Sequence, residues 1–187
     1  RRARQRRHLM PPVLDRSSVL DNPDLRGRPF VDAYTRLVDT WIVELYDELF
    51  GERSGVALVA TGGHGRGELA PQSDLDLLLL HDGSIDLGTA QRLWYPMWDA
   101  KLKVGHSVRT VAETLALASD DLPTATSLLS VRRLAGDASL ATDLAVDSAA
   151  QWRKQSKRVL ASLMETVTSR HETTGEVAAA LEPDLKE

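Results

Sequence analysis

The sequence has no cysteine and no long apolar run, and each absence excludes a class of protein. Without cysteine among 187 residues, the chain has no disulfide, no thiolate metal site and no thiol nucleophile. No stretch approaches the ~20 consecutive apolar residues that span a bilayer, and no leader with an apolar core is recognisable. Its 42% hydrophobic and 27% charged residues are typical of a soluble globular protein. We therefore expect a cytoplasmic protein without a membrane partner.

An excess of positive charge is also lacking. The formal net charge is -4 and the pI about 5.8, whereas nucleic-acid binders neutralise phosphates with clustered Lys and Arg. Nucleic acid is therefore not the expected partner. The exception is a group of five arginines within residues 1–7. This segment either is a solvated helix or linker, or binds an anionic partner. Because the chain begins with Arg and stops in LEPDLKE, we expect it to be cut from a longer protein.

Hydrophobic spacing predicts the elements of the first half. Apolar residues from Phe30 to Leu49 recur at helical intervals, and Gly51 closes the predicted helix. The segment GVALVATGG reads as a buried strand that enters a tight turn, and SDLDLLLLHDG as a second strand. Only a short loop or one helical turn, broken by Pro71, is expected between them.

The second half predicts more helix than strand. We expect a helix from Leu87 to Lys103, a third strand at KVGHSVRT, a helix from Val111 to Ala118, and helix almost to the end from about Asp121. This alternation indicates an α/β (α+β) fold with a small mixed sheet and flanking helices. The predicted organisation is a polar segment at 1–29, a core at 30–120 and a helical subdomain at 121–187.

The stretch TGGHGRGELAPQSDLDLLLL carries the chemistry. Asp74 and Asp76 lie two apart on a predicted strand, so both carboxylates project from the same face. Magnesium is typically bound by one or two carboxylates together with substrate phosphates. The pair is therefore predicted to be catalytic and to bind Mg²⁺ or Mn²⁺, and two ions could stabilise both oxygens of an in-line displacement.

The glycines before this pair predict a nucleotide site. Gly62 and Gly63 have no Cβ to obstruct backbone amides from approaching phosphate oxygens. Arg66 is placed for a bidentate phosphate contact, Ser73 for a hydroxyl or amide contact, and Glu68 to orient Arg66. Together these residues predict that a nucleoside triphosphate is the substrate.

Two better-known glycine motifs are excluded. Glu68 occupies the position where the dinucleotide pattern G-x-G-x-x-G has its last glycine, and no Lys-Ser/Thr follows as a P-loop requires. A lone D-x-D or a lone glycine turn is a weak signal. The prediction depends on their combination with Arg, Glu, Pro and Ser within twenty residues.

This combination resembles the signature of the polymerase-β-like nucleotidyltransferases. More narrowly, GGHGRGELAPQSDLDLLLL is similar to the N-terminal domain of the uridylyltransferases that modify the nitrogen-regulatory PII protein. The stretches WDAKLKVGHSVRT, DLPTATSLLSVRRLAGD and LEPDLKE extend the resemblance over most of the chain from about residue 30. The resemblance implies a polymerase-β-like core that moves UMP, or AMP, from UTP or ATP to a PII tyrosine and releases pyrophosphate. It also implies that hydrolase and glutamine-sensing domains follow in the complete enzyme.

The sequence departs from the family where a third carboxylate is common, because the strand KVGHSVRT has no acid. His106 on that strand is the candidate catalytic base, and Glu182 and Asp184 are its rivals. His64 either covers the nucleotide or, as we favour, faces solvent.

Three questions stay open at this stage. The acceptor is either PII or another molecule used by enzymes of the same superfamily. The missing acid also leaves open a regulatory nucleotide-binding module without turnover. Base choice between UTP and ATP depends on pocket contacts that no motif fixes.

Overall fold

The computed structural model describes residues 12–175, without the side chains at 173 and 174. The N-terminal arginines and the segment LEPDLKE, with Glu182 and Asp184, lie outside the described residues. In chain order the elements are α1 (Ser17–Leu20), α2 (Gly27–Leu49), β1 (Val56–Ala60), α3 (Gly62–Gly65), β2 (Leu75–His81), α4 (Leu87–Arg92), α5 (Tyr95–Asp99), β3 (Val104–Arg109), α6 (Val111–Asp120), α7 (Leu122–Ser127), β4 (Arg132–Gly136) and α8 (Ala138–Thr174).

The strands form one mixed sheet in the order β3-β2-β1-β4. Strand β1 pairs antiparallel with both β2 and β4, and β2 pairs parallel with β3. The parallel pair is joined through α4 and α5, as a crossover connection requires. The predicted mixed α/β fold with a small sheet is therefore confirmed.

Side-chain alternation gives the sheet two different faces. The face of Leu75, Leu77 and Leu79 packs on α2, α4 and α5 in the larger apolar core. The face of Leu78 and Leu80 packs on α6, α7 and α8 in a smaller core. We call these the closed face and the open face, because the second is covered along only part of its length.

Helix α2 anchors the closed face. Its buried positions recur at helical spacing, and the hydroxyl of Tyr46 donates to the carbonyl oxygen of Val56 at 2.9 Å. Burial of this hydroxyl raises the pKa of Tyr46 to about 12. The helix predicted from Phe30 to Leu49 is confirmed, with a start three residues earlier.

Two sequence predictions about helices were wrong. The helix expected from Leu87 to Lys103 is two short helices, because Pro96 lacks the N–H that would continue the first one and suits the start of the second. The stretch after Asp121 was expected to be helical, yet residues 132–136 form strand β4 against β1. The predicted domain division at residue 120 stays a prediction.

The remaining helical predictions are confirmed. One helical turn, α3, lies between β1 and β2 as expected. Helix α6 begins with a capping box between Thr110 and Glu113, and α8 is the long C-terminal helix that the spacing predicts. Among residues 12–175, no helix is both long and apolar enough to cross a membrane.

Candidate active site

The two aspartates lie at the beginning of β2. Asp74 comes one residue before the strand and Asp76 is its second residue. Both are partly exposed, whereas Leu75 between them is buried in the closed-face core. This alternation is what two side chains on one face of a strand produce. Asp76 therefore lies on the open face, and the alternation predicts the same face for Asp74.

Two glycines flank the carboxylate of Asp76. A Cβ on Gly62 would lie 2.8 Å from Asp76 Oδ2, and a Cβ on Gly105 would lie 3.2 Å from Asp76 Oδ1. Gly105 is the register partner of Asp76 on β3, while Gly62 approaches from the turn after β1. Side chains at either glycine would occupy the space around the carboxylate.

The backbone conformation of the turn also depends on glycine. Gly62 has φ +57°, a left-handed conformation that residues with a Cβ rarely adopt. The amide of Thr61 donates to the carbonyl oxygen of Asp76 at 3.0 Å, so the turn starts beside the strand that carries the aspartates. A Cβ on Gly65 would collide with the carbonyl oxygen of Ser130. The glycines therefore allow the turn to pack closely between β2 and the segment that precedes β4.

A cleft of about 210 Å³ opens on the open face beside Asp76. Its floor contains the face-sharing residues of β3, Gly105, Ser107 and Arg109, and its wall contains residues of α6 and α7. Five of the lining residues carry a hydroxyl group, namely Thr61, Ser107, Thr114, Thr124 and Ser127. Together with the cationic Arg109, the lining suits a polar, anionic ligand.

The donor set at the site fits a divalent cation in part. Asp74 and Asp76 supply carboxylate oxygens, which are the ligands that Mg²⁺ prefers, and the glycines leave space on both sides of Asp76. Within residues 12–175, no group of three or more His, Cys, Asp or Glu side chains is placed to hold a metal ion. Further ligands would therefore have to come from water and substrate, which is usual for Mg²⁺.

Sequence comparison decides the class of this site. A profile of the nucleotidyltransferase domain matches residues 41–115, which include the glycine turn, both aspartates and β3. The chain contains a nucleotidyltransferase domain. The bifunctional uridylyltransferase/uridylyl-removing enzyme of Streptomyces coelicolor is 45% identical over 164 residues, 86% of this chain. The enzymes of the same name from Mycobacterium tuberculosis and Pseudomonas putida are 44% and 35% identical over 80% and 85% of it.

The chain spans about a fifth of the length of these curated relatives, between 18% and 20%. Among solved structures, a toxin–antitoxin MntA–HpeT mutant aligns with a TM-score of 0.45 at 14% identity, covering 70% of this chain and 98% of that chain. A toxin–antitoxin structure with AMP-PNP aligns with a TM-score of 0.42 at 15% identity and covers 70% of this chain and 98% of that one.

Arg66 and Ser73, the two predicted phosphate ligands, lie close to the glycine turn and have different hydrogen-bond partners. The guanidinium of Arg66 lies over Gly63, since a Cβ there would be 3.7 Å from Nη2, and Nε donates to Glu68 at 2.7 Å. Glu68 therefore orients Arg66 as expected. The hydroxyl of Ser73 donates to the carbonyl oxygen of Ala70 at 2.8 Å and accepts from its amide at 3.0 Å, so it stabilises the loop before Asp74.

His106 borders the same cleft as Asp76, but its ring points to the other face of the sheet. It is the register partner of Leu77, whose side chain belongs to the closed face. Its ring lies against Trp94 and Trp98, with centroid separations of 4.8 and 5.4 Å. This position on the opposite face of the sheet from Asp76 argues against the predicted role of His106 as general base.

The prediction that His64 faces solvent was wrong. Its side chain is fully buried, and Nε2 lies 2.8 Å from Asp39 Oδ1. Arg132 completes the cluster with a bidentate contact to Asp39, from Nη1 to Oδ2 at 2.7 Å and from Nη2 to Oδ1 at 3.3 Å. Burial by itself would raise the pKa of Asp39, but hydrogen bonds from His64 and Arg132 lower it below the ordinary value.

Sequence reasoning missed Asp39 and assigned no contact to Arg132. A signal for Asp39 existed, because it lies three residues before Ile42 and seven before Tyr46 and therefore on the apolar face of α2. A charge at such a position needs a buried partner. Nothing in the sequence indicated that this partner would come from residue 132, more than ninety positions along the chain.

Proposed function

We propose that this chain transfers UMP, or AMP, from a nucleoside triphosphate to a tyrosine hydroxyl of a PII-type signalling protein. The observation that carries the proposal is the carboxylate of Asp76, which lies between Gly62 and Gly105 at the mouth of a polar cleft. In the reaction, a bond forms between the tyrosine oxygen and the α-phosphorus. The bond from that phosphorus to the bridging oxygen breaks, pyrophosphate leaves, and the tyrosine proton is released to solvent.

Asp74 and Asp76 are the proposed ligands of a divalent cation, Mg²⁺ or Mn²⁺. When bound, such an ion neutralises charge on the triphosphate and on the departing pyrophosphate. Through such an ion, the two carboxylates would hold the triphosphate beside β2. Positioning of this kind lowers the barrier because the reacting atoms meet in line before the reaction begins.

The glycine turn and Arg66 are the proposed surroundings of the phosphates. Gly62 and Gly63 present backbone without side chains beside Asp76, so phosphate oxygens can approach closely. Arg66 lies above Gly63, held by Glu68, and its guanidinium carries the charge that phosphates require. Ser73 contributes indirectly through the conformation of the loop before Asp74.

The cleft beside Asp76 is the proposed nucleoside site. Its lining hydroxyls of Ser107, Thr124 and Ser127 offer donors and acceptors to a ribose and a base, and Arg109 adds a cation. The uridylyltransferase name of the relatives favours UTP over ATP. We assign no residue as general base, because the ring of His106 lies on the other face of the sheet.

The proposal is tested by charge-neutral substitutions at the two aspartates. Asp74→Asn and Asp76→Asn should each reduce label transfer from UTP to purified PII by about 100- to 1,000-fold, because charge stabilisation in the transition state is lost. Thermal unfolding should be unchanged, since both side chains are partly exposed. Asp143→Asn, at an exposed position of α8, is the matched control and should retain full transfer.

Each alternative has its own result. Label on another protein or a small molecule instead of a PII tyrosine would reassign the acceptor. Metal-dependent triphosphate binding without pyrophosphate release, with any acceptor, would identify a regulatory binding module. Transfer at wild-type rate in Asp74→Asn or Asp76→Asn would refute the proposed site.

A further inference from the structure

Arg132 joins three elements that are distant in sequence. Besides the two bonds from β4 to Asp39 on α2, its Nη2 donates to the carbonyl oxygen of His64 at 2.9 Å and its Nε to that of Gly65 at 3.2 Å. These four hydrogen bonds use all three nitrogens of the planar guanidinium. A lysine could not replace them, because its ammonium is a single point of donation.

The cluster is partly shielded from solvent. The side chain of His64 is inaccessible, that of Asp39 is 17% exposed and that of Arg132 is 34% exposed. In such surroundings the cost of desolvating the charges offsets much of their attraction, so the net gain in stability is small. The directional contacts of the pair therefore matter more for local geometry than for stability.

The backbone that Arg132 holds is the turn beside Asp76. The amide of Gly65 donates to the carbonyl oxygen of Thr61 at 2.8 Å and that of Arg66 to the carbonyl oxygen of Gly62 at 3.1 Å, so the turn is held together by its own hydrogen bonds. At the other end of this turn, Gly62 is so close to Asp76 that a Cβ would lie 2.8 Å from the carboxylate. A displacement at Gly65 would therefore change the space around Asp76.

We propose that Asp39 and Arg132 are positioning residues that hold the turn 62–65 at a fixed distance from Asp76. His64 takes part through its Nε2 contact with Asp39 and through its carbonyl oxygen. The inference rests on the proposed function of the site, because the geometry in question is that of the triphosphate pocket. It assigns no chemical step to either residue.

The test compares neighbouring arginines of β4 in the 187-residue chain. Arg132→Lys keeps the positive charge but removes the several N–H donors of the guanidinium. Arg133→Lys makes the same change at an exposed position. We expect Arg132→Lys to weaken UTP binding in the presence of Mg²⁺, with a rise in Kd and KM of about 10-fold or more, as for lost supporting contacts in other sites. Hydrogen exchange at amides 62–67 should accelerate, while β1 keeps its protection. Arg133→Lys should leave Kd, KM, exchange at amides 62–67 and the protection of β1 unchanged.

A purely structural role would give a different pattern. In that case the folded fraction and kcat would fall together, with Kd, KM and exchange at 62–67 unchanged in the folded molecules, and the inference would be overturned. If Arg132→Lys does not fold, Asp39→Asn serves as the second variant, and failure of both to fold would also show a structural role. A wild-type chain that binds UTP without transferring UMP would contradict only the proposed function. The Kd for UTP and hydrogen exchange at amides 62–67 would still test the role of Asp39 and Arg132. A wild-type chain that binds no triphosphate overturns both.

Discussion

The two faces of β2 differ although they belong to the same seven residues. On the closed face, Leu75, Leu77 and Leu79 are buried against helices. On the open face, Leu78 and Leu80 are buried as well, but Asp76 at the beginning of the strand meets a cleft instead of a helix. One face is filled by large side chains, and the other is left open at one end by glycine and by short hydroxyl residues.

This contrast shows how the fold separates stability from chemistry. The closed face contributes apolar burial, which is non-directional and tolerates exchange of similar side chains. The open end contributes little burial, and its geometry depends on the absence of side chains at Gly62 and Gly105. Substitutions on the two faces should therefore affect different observables.

The largest stability effect is expected on the closed face. Leu79 is fully buried in the sheet centre, and Leu79→Ala should lower the free energy of unfolding by about 2–5 kcal/mol through lost burial and a cavity. Leu78→Ala, one residue away, should cost less, because Leu78 borders the cleft and its removal leaves no closed cavity. Urea unfolding of both variants measures the difference.

Transfer activity provides the counterpart to this comparison. The folded fraction of Leu79→Ala should transfer UMP at the wild-type rate, since the side chain does not reach the open face. Equal destabilisation by the two leucine substitutions would contradict the division of the sheet into a closed and an open face.

An intermediate effect is expected where β3 borders Asp76. Gly105 has no left-handed conformation, so Gly105→Ala is compatible with the strand. Its methyl group would lie 3.2 Å from Asp76 Oδ1 and should displace the carboxylate by a few tenths of an ångström. We expect kcat/KM for UTP to fall by about 10-fold with an unchanged Tm, because small misplacements at a reacting centre are costly.

Gly88→Ala on α4 is the matched control for this change. A Cβ there has ordinary van der Waals contact with Asp86, and the site lies away from the cleft. Full activity in Gly105→Ala would mean that the space beside Asp76 is not needed by the substrate.

The smallest effect is expected from acid. Because the folded-state pKa of Asp39 is lower than its ordinary value of 3.8, ionised Asp39 stabilises the fold above that pH. This contribution is lost as the pH falls through the lower folded-state pKa. The Tm advantage of wild type over Asp39→Asn should therefore be constant above pH 5 and shrink below about pH 4. Asp143→Asn controls for removal of one negative charge, and a gap that widens in acid would contradict the ion pair.

Local patterns predicted much of the candidate site. The glycine turn, the D-x-D pair and the Glu68 contact of Arg66 depend on residues close in sequence, so spacing alone places them together. Strand β4 escaped prediction because its pairing with β1 joins segments more than seventy residues apart. The burial of His64 escaped for the same reason, since its partner Asp39 comes from another element.

The amino-acid sequence was sufficient to predict the alternation of helices and strands over most of the chain, the class of chemistry and the residues proposed to carry it. These follow from periodicities and short motifs, in which each residue constrains its near neighbours. The three-dimensional fold was needed to see that the ring of His106 points to the other face of the sheet from Asp76, that the cleft lies between β3 and α7, and that Arg132 donates hydrogen bonds to the glycine turn. Those outcomes depend on which distant segments meet in the sheet, and pairing between distant segments leaves no periodic trace in the chain.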